Sequence, residues 1–193
     1  MHKVQDLKPI NIFLLSFLGL ILGGCSSTAS ENEEIVVDSP FYDLRTFFNE
    51  EIERLTKEQP RVLKRVAIQE KKEEKQFDQL DYKQELQVFV DSDINKVAWF
   101  DRYEMDTIQK NQSLKELIYT AKSPKLKTRI IRISFDDQQA VKEVKMAIGT
   151  ENQVAGAKKE LTYTTNQGYK IETVQSLIGS SDKTVSLEVR FLE

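Results

Sequence analysis

The chain has 193 residues, with 28 basic against 31 acidic side chains, a formal net charge of −3 and 39% hydrophobic residues. Its single cysteine is Cys25 and its single histidine is His2. This inventory excludes a disulfide framework and a thiolate metal cluster, and it offers no basic surplus for nucleic acid.

The first residues have the three parts of an export signal. Lys3 and Lys8 make a short basic start, an apolar run extends from Ile10 to Leu22, and Gly23 and Gly24 lead into Cys25. As a helix, Ile10–Gly24 spans roughly 22 Å at ~1.5 Å per residue, short of the ~30 Å hydrocarbon core, so a membrane-crossing helix is the poorer reading. Leu22-Gly23-Gly24-Cys25 resembles the lipobox of bacterial lipoproteins, although Asp6 is unusual in a basic leader. The lipobox implies that the Cys25 thiol receives a diacylglycerol and that cleavage leaves Cys25 as the first mature residue. Signal removal discards His2, Lys3, Asp6 and Lys8 and leaves the chain slightly more acidic. More than one acyl chain makes such anchoring durable.

Residues 25–38 read as a polar, acidic tether: Ser26-Ser27-Thr28-Ala29-Ser30, followed by Glu31, Glu33 and Glu34, cannot build a core. Residues 39–193 have the length of one domain. Ser39-Pro40 reads as the start of a helix, with Phe41, Leu44, Phe48, Ile52 and Leu55 on one face and Pro60 as its stop. Arg61–Gln69 alternates as a strand and turns into a charged second strand, Glu73–Phe77. A second helix is expected from Asp78, with Tyr82, Leu86, Phe89 and Val90 as its buried stripe.

Trp99–Met105 and Leu114–Ala121 read as strands. Ile131, Ile133 and Phe135 alternate, then Val144, Met146 and Ile148, followed by a longer connection from Thr150 to Lys158. Leu161 to Thr165 and Tyr169 to Thr173 flank the hairpin turn Asn166-Gln167-Gly168, and Val185, Leu187, Val189 and Phe191 share one face of the last strand. The expectation is an α+β fold: an antiparallel meander sheet of about five or more strands, packed with two helices from the N-terminal half.

Candidate chemistry is sparse. Asp91-Ser92-Asp93-Ile94-Asn95 begins like a calcium loop, but Lys96 stands where the turn needs glycine and Arg102 where a bidentate glutamate belongs, so a polar helix end is the better reading. Asp101, Glu104 and Asp106 lie near Trp99, Phe100 and Tyr103, and an acid pair beside aromatics could act on sugars, but on a strand Asp101 and Glu104 point to opposite faces. Ser180-Ser181-Asp182-Lys183 reads as a turn. Lys122, Lys125, Lys127, Arg129 and Arg132 fit an edge strand guarded against pairing, with contact to anionic headgroups as the alternative. No catalytic residue, cofactor site or metal site is assigned, and the chain is read as a non-enzyme.

Two stretches, Phe41-Tyr42-Asp43-Leu44-Arg45-Thr46-Phe47-Phe48-Asn49-Glu50-Glu51-Ile52 and Asp93-Ile94-Asn95-Lys96-Val97-Ala98-Trp99, resemble an uncharacterised family of outer-membrane lipoproteins from Bacteroidota-type bacteria. The resemblance implies a two-membrane envelope, and Ser26 directly after Cys25 suits sorting to the outer membrane. It assigns no catalytic residues. Acids begin only at Glu31, which leaves the periplasmic face and the cell surface both open.

The expected function is that of a lipid-anchored envelope protein that binds or helps assemble another envelope protein. The alternative is a carrier of an apolar ligand or lipid. Cys25→Ala is expected to abolish incorporation of a palmitate analogue and to leave uncleaved precursor or soluble protein. Label retained by the variant would contradict the lipobox assignment.

Overall fold

The computed structural model describes residues 39–151 and 154–192. The export signal, Cys25 and the tether lie outside the described residues. No helix among those described is long and apolar enough to cross a membrane.

The described residues fold as α+β, with two α-helices and one nine-stranded antiparallel sheet. Helix α1 spans Leu44–Glu58, one turn later than Ser39-Pro40 suggested. Asp43 is its N-cap, with a carboxylate that accepts from the Thr46 amide at 2.9 Å, which satisfies one of the orphan donors of the first turn. Phe41 therefore stands before the helix, where its ring meets Tyr103 and Tyr119 edge-on. The helix ends at Gln59, whose left-handed backbone turns the chain into Pro60. Helix α2 spans Tyr82–Val90 with Asp81 as its cap, and it buries the expected stripe of Tyr82, Leu86, Phe89 and Val90.

The strands are β1 (Val62–Ile68), β2 (Lys71–Phe77), β3 (Tyr103–Lys110), β4 (Ser113–Ala121), β5 (Thr128–Phe135), β6 (Val141–Glu151), β7 (Ala155–Thr164), β8 (Gly168–Leu177) and β9 (Lys183–Phe191). Their order across the sheet is β2-β1-β9-β8-β7-β6-β5-β4-β3. The seven strands from β3 to β9 form a meander, and β9 returns to pair with β1. The five strands of clear alternation are thus joined by four whose patterns are blurred by charge.

Helix α2 thus begins one turn after the expected Asp78, and two expectations for the strands also change. Residues 99–102 are not strand: Val97–Trp99 is a 3₁₀ turn and β3 begins only at Tyr103. The supposed connection from Thr150 to Lys158 is instead a long hairpin, in which Glu151 pairs with Gly156 and Thr150 with Ala157. Small residues Ala155, Gly156 and Ala157 hide its strand character from a hydrophobic pattern. At the other end, Gly168 closes the β7–β8 hairpin at φ +135, and a Cβ there would lie 2.0 Å from the Val189 carbonyl oxygen. Only glycine fits.

Both helices lie on one face of the sheet. Phe48 and Phe89 meet each other with ring centroids 4.9 Å apart, and each meets Tyr163 on β7 edge-on. Ile131, Ile133, Val144, Met146, Leu161, Tyr169 and Val189 fill the same layer and are buried. Nine strands at ~4.8 Å make a sheet roughly 40 Å wide, whereas α1 and α2 are about 22 and 14 Å long. Two helices of that size leave part of the face uncovered.

Candidate functional site

Two polar networks sit beneath the helices. Glu51 lies on the apolar stripe of α1, three residues after Phe48 and four before Leu55, and is buried with 9% of its surface exposed. Arg54 donates to both of its carboxylate oxygens, at 2.9 and 2.8 Å, and also to Glu58 at 2.7 Å. The Tyr163 hydroxyl, from the middle of the sheet, donates to the same carboxylate. Burial pushes the Glu51 carboxyl up, but the Arg54 fork and the Tyr163 hydroxyl outweigh it and hold the group below the ordinary range. Burial, followed by the Glu51 carboxylate, pushes the Tyr163 phenol far above its usual value.

The second network joins α2 to the sheet. Tyr169 on β8 donates to Glu85 at 2.6 Å, and Lys64 on β1 pairs with the other oxygen of that carboxylate. Each carboxylate takes up donors from its own helix or from the sheet, so each network fastens one helix to the sheet. The helix stripes of the sequence did not reveal these groups, although an acid at position 51 inside an apolar stripe is a signal that a partner awaits it.

Beyond the helices the apolar face continues. Register places Tyr169 opposite Val189, Ile171 opposite Leu187 and Thr173 opposite Val185, while Val66 faces Leu187 and Ile68 faces Val185 from β1. Alternation puts all of these on the helix-bearing side. Val189 and Tyr169 are buried under α2, whereas Ile171, Leu187, Val185 and Val66 are only half-buried and Ile68 is 55% exposed. Farther along, a groove of about 380 Å³ is floored by Thr150, Ala155, Ala157 and Leu177 and rimmed by Gln175 and Lys183.

The residues singled out in the sequence go to separate places. The segment Asp91–Asn95 is a polar helix end: Ser92 donates to the Val88 carbonyl at 2.6 Å, and its own carbonyl accepts from Thr128 at 3.1 Å. Asp93 is buried, accepts from the Asn95 amide at 3.2 Å and lies 3.9 Å from Arg45. Burial raises its carboxyl despite Asn95 and Arg45. Among the described residues no three His, Cys, Asp or Glu side chains are gathered as a metal set.

Glu104 and Asp106 are exposed on the outer face of β3, while Tyr103 points inward and donates to the Thr128 carbonyl at 2.9 Å. Asp101 lies before the strand. Glu104 and Asp106 thus share an exposed face, while the Tyr103 ring lies on the opposite side, so the acids and the aromatic ring expected together are separated.

Ser180, Ser181 and Asp182 make the β8–β9 turn and Lys183 opens β9. The basic stretch changes most. Lys122, Lys125 and Lys127 belong to the β4–β5 connection, and β5, which carries Arg129 and Arg132, is an interior strand between β4 and β6. The edge-guarding reading is overturned, because the strand has no free edge to guard. That role falls instead to β2, an edge strand whose Lys71–Gln76 stretch is exposed and charged. No protein family, curated protein or solved structure matches the chain.

Because its carboxyl is held low, Glu51 stabilises the fold above the ordinary glutamate value of 4.5, and that contribution is lost as pH falls through the lowered value. The difference in unfolding free energy between the parent and Glu51→Gln is therefore expected to be larger at pH 7 than at pH 3 in urea titrations. A difference that grows on acidification would contradict the pairing.

Proposed function

We propose that this protein is a lipid-anchored lipoprotein of the outer membrane that binds another envelope protein through the uncovered end of its sheet. The observation that carries the reading is a half-buried apolar surface in which Ile171 and Leu187 pack against the core and Val185 and Val66 extend the same face by register. Its surroundings are mixed: Thr173 and Gln175 on β8, Lys183 on β9 and Lys71 and Glu73 on β2 share that side by register. An apolar centre with a polar rim is the composition of a protein interface. The anchor at Cys25 and the outer-membrane location rest on the lipobox and on the resemblance drawn from the sequence.

The second reading, a carrier of an apolar ligand, has one observation in its favour. The groove of about 380 Å³ falls within the ~300–1,000 Å³ of small-molecule sites and has Leu177, Ala155 and Ala157 in its wall. Against it, the space directly beneath the helices is filled by Phe48, Phe89, Tyr163 and Leu161, each at most 1% exposed.

A photocrosslinking amino acid placed at Ile171 or at Leu187 in the native envelope is expected to capture the same protein from both positions. At Glu172, on the opposite side of β8, it is expected to capture none. Adducts of lipid at both apolar positions would replace the partner reading with the carrier. An absence of any adduct would contradict both.

A further inference from the structure

The β4–β5 connection, the β6–β7 hairpin and the β8–β9 turn all lie at one end of the sheet, because successive antiparallel strands reverse there. Two chemistries meet at that end. Val154, Leu177 and Ile178 are 64%, 51% and 75% exposed. They form one tip: the Ile178 amide donates to the Val154 carbonyl at 3.0 Å, and Leu177 pairs with Ala155. Isolated exposed apolar residues need no explanation, but three large ones joined on a projecting hairpin pair do.

Beside the tip is a concentration of cations. Lys122, Lys125 and Lys127 are exposed on the β4–β5 connection. Arg129 is held by a bond from Nη1 to the Ser123 carbonyl at 3.2 Å and lies across Gly149, where a Cβ would come within 3.2 Å of its Nε. With Lys158 and Lys159 of β7 it lines a recess of about 300 Å³ that also contains Glu160. Lys183 stands at the start of β9, next to the turn that carries Asp182. Asp101, Glu160 and Asp182 also lie at this end, and the acid-free excess of cations is confined to the run from Lys122 to Arg129.

We infer that this end of the sheet docks on the surface of an anionic lipid bilayer, with Val154, Leu177 and Ile178 entering the headgroup boundary and the lysines of the β4–β5 connection reaching phosphates. Charge complementarity favours a bilayer: the exposed Val154, Leu177 and Ile178 share this end of the sheet with the run Lys122–Arg129, which carries four basic and no acidic side chains. Lysine stems spread along apolar surface while their ammonium groups stay at the charged layer. Lys125 and Lys127, which the edge-strand reading left without a role once β5 proved interior, acquire one here, while Lys122 also donates to the Asp101 carbonyl at 3.0 Å. This contact does not depend on the acyl anchor, and it orients the domain relative to the membrane.

The test uses the chain from residue 25 onward carrying Cys25→Ser, so that no lipid contributes and failure of the lipobox reading would leave the assay unchanged. It is expected to co-sediment with vesicles of equal parts phosphatidylglycerol and phosphatidylcholine and much less with phosphatidylcholine alone. Lys125→Glu with Lys127→Glu is expected to lower binding by about tenfold or more. Ile178→Asp, a change on a 75% exposed side chain, is expected to weaken binding while leaving the melting temperature in place. Equal binding to both vesicle types, or binding unmoved by both variants, would overturn the inference.

Discussion

The fold turns on Tyr163. Its ring lies under Phe48 of α1 and Phe89 of α2, and its hydroxyl donates to the buried Glu51 carboxylate that Arg54 also grips. A tyrosine in mid-sheet thus gives both helices an aromatic surface to pack on and gives one of them a polar lock. A buried carboxylate is costly unless it is paired and fully hydrogen-bonded, so the position of α1 over β7 is tightly specified. Tyr169 with Glu85 and Lys64 repeats the device for α2 two strands from β1.

Fixing both helices over the middle of a nine-stranded sheet determines what is left bare. The same alternation that buries Val189 carries on through Leu187 and Val185, which are only half-buried beyond α1 and α2 among the described residues. A half-buried apolar surface and a groove arise there from a mismatch of width, with no special motif required. At the adjoining end of the sheet the hairpins project beyond the core, and there exposed apolar tips and lysines coexist without disturbing the packed layer.

Much of the architecture was legible because burial and alternation coincide. The stripe of α2 and the strands 131–135, 144–148 and 185–191 could be read directly, since each places apolar side chains at the period of its element. Where only one face is half-buried and the other charged, the pattern faded: β2 has no buried residue, and β3 buries only Tyr103. The start of α1 was misplaced because proline after serine imitates a cap, whereas Asp43 provides the carboxylate that serves. The site was less visible than the fold. Register across β8, β9 and β1 assembles it from residues more than 100 positions apart, and no local spacing encodes that neighbourhood. The basic stretch shows the same limit, since whether a lysine guards an edge or crowns a loop depends on strand order.

The claim that helix cover ends between the Tyr163 layer and the Leu187 layer can be tested with two truncations of the same size. Leu161 is 1% exposed beneath the helices, whereas Leu187 is half-buried beyond them. In urea unfolding, Leu161→Ala is expected to cost about 2–5 kcal/mol, the range for a fully buried leucine, and Leu187→Ala clearly less. Equal losses at the two positions would mean that the β9 face is covered and that the uncovered surface does not exist.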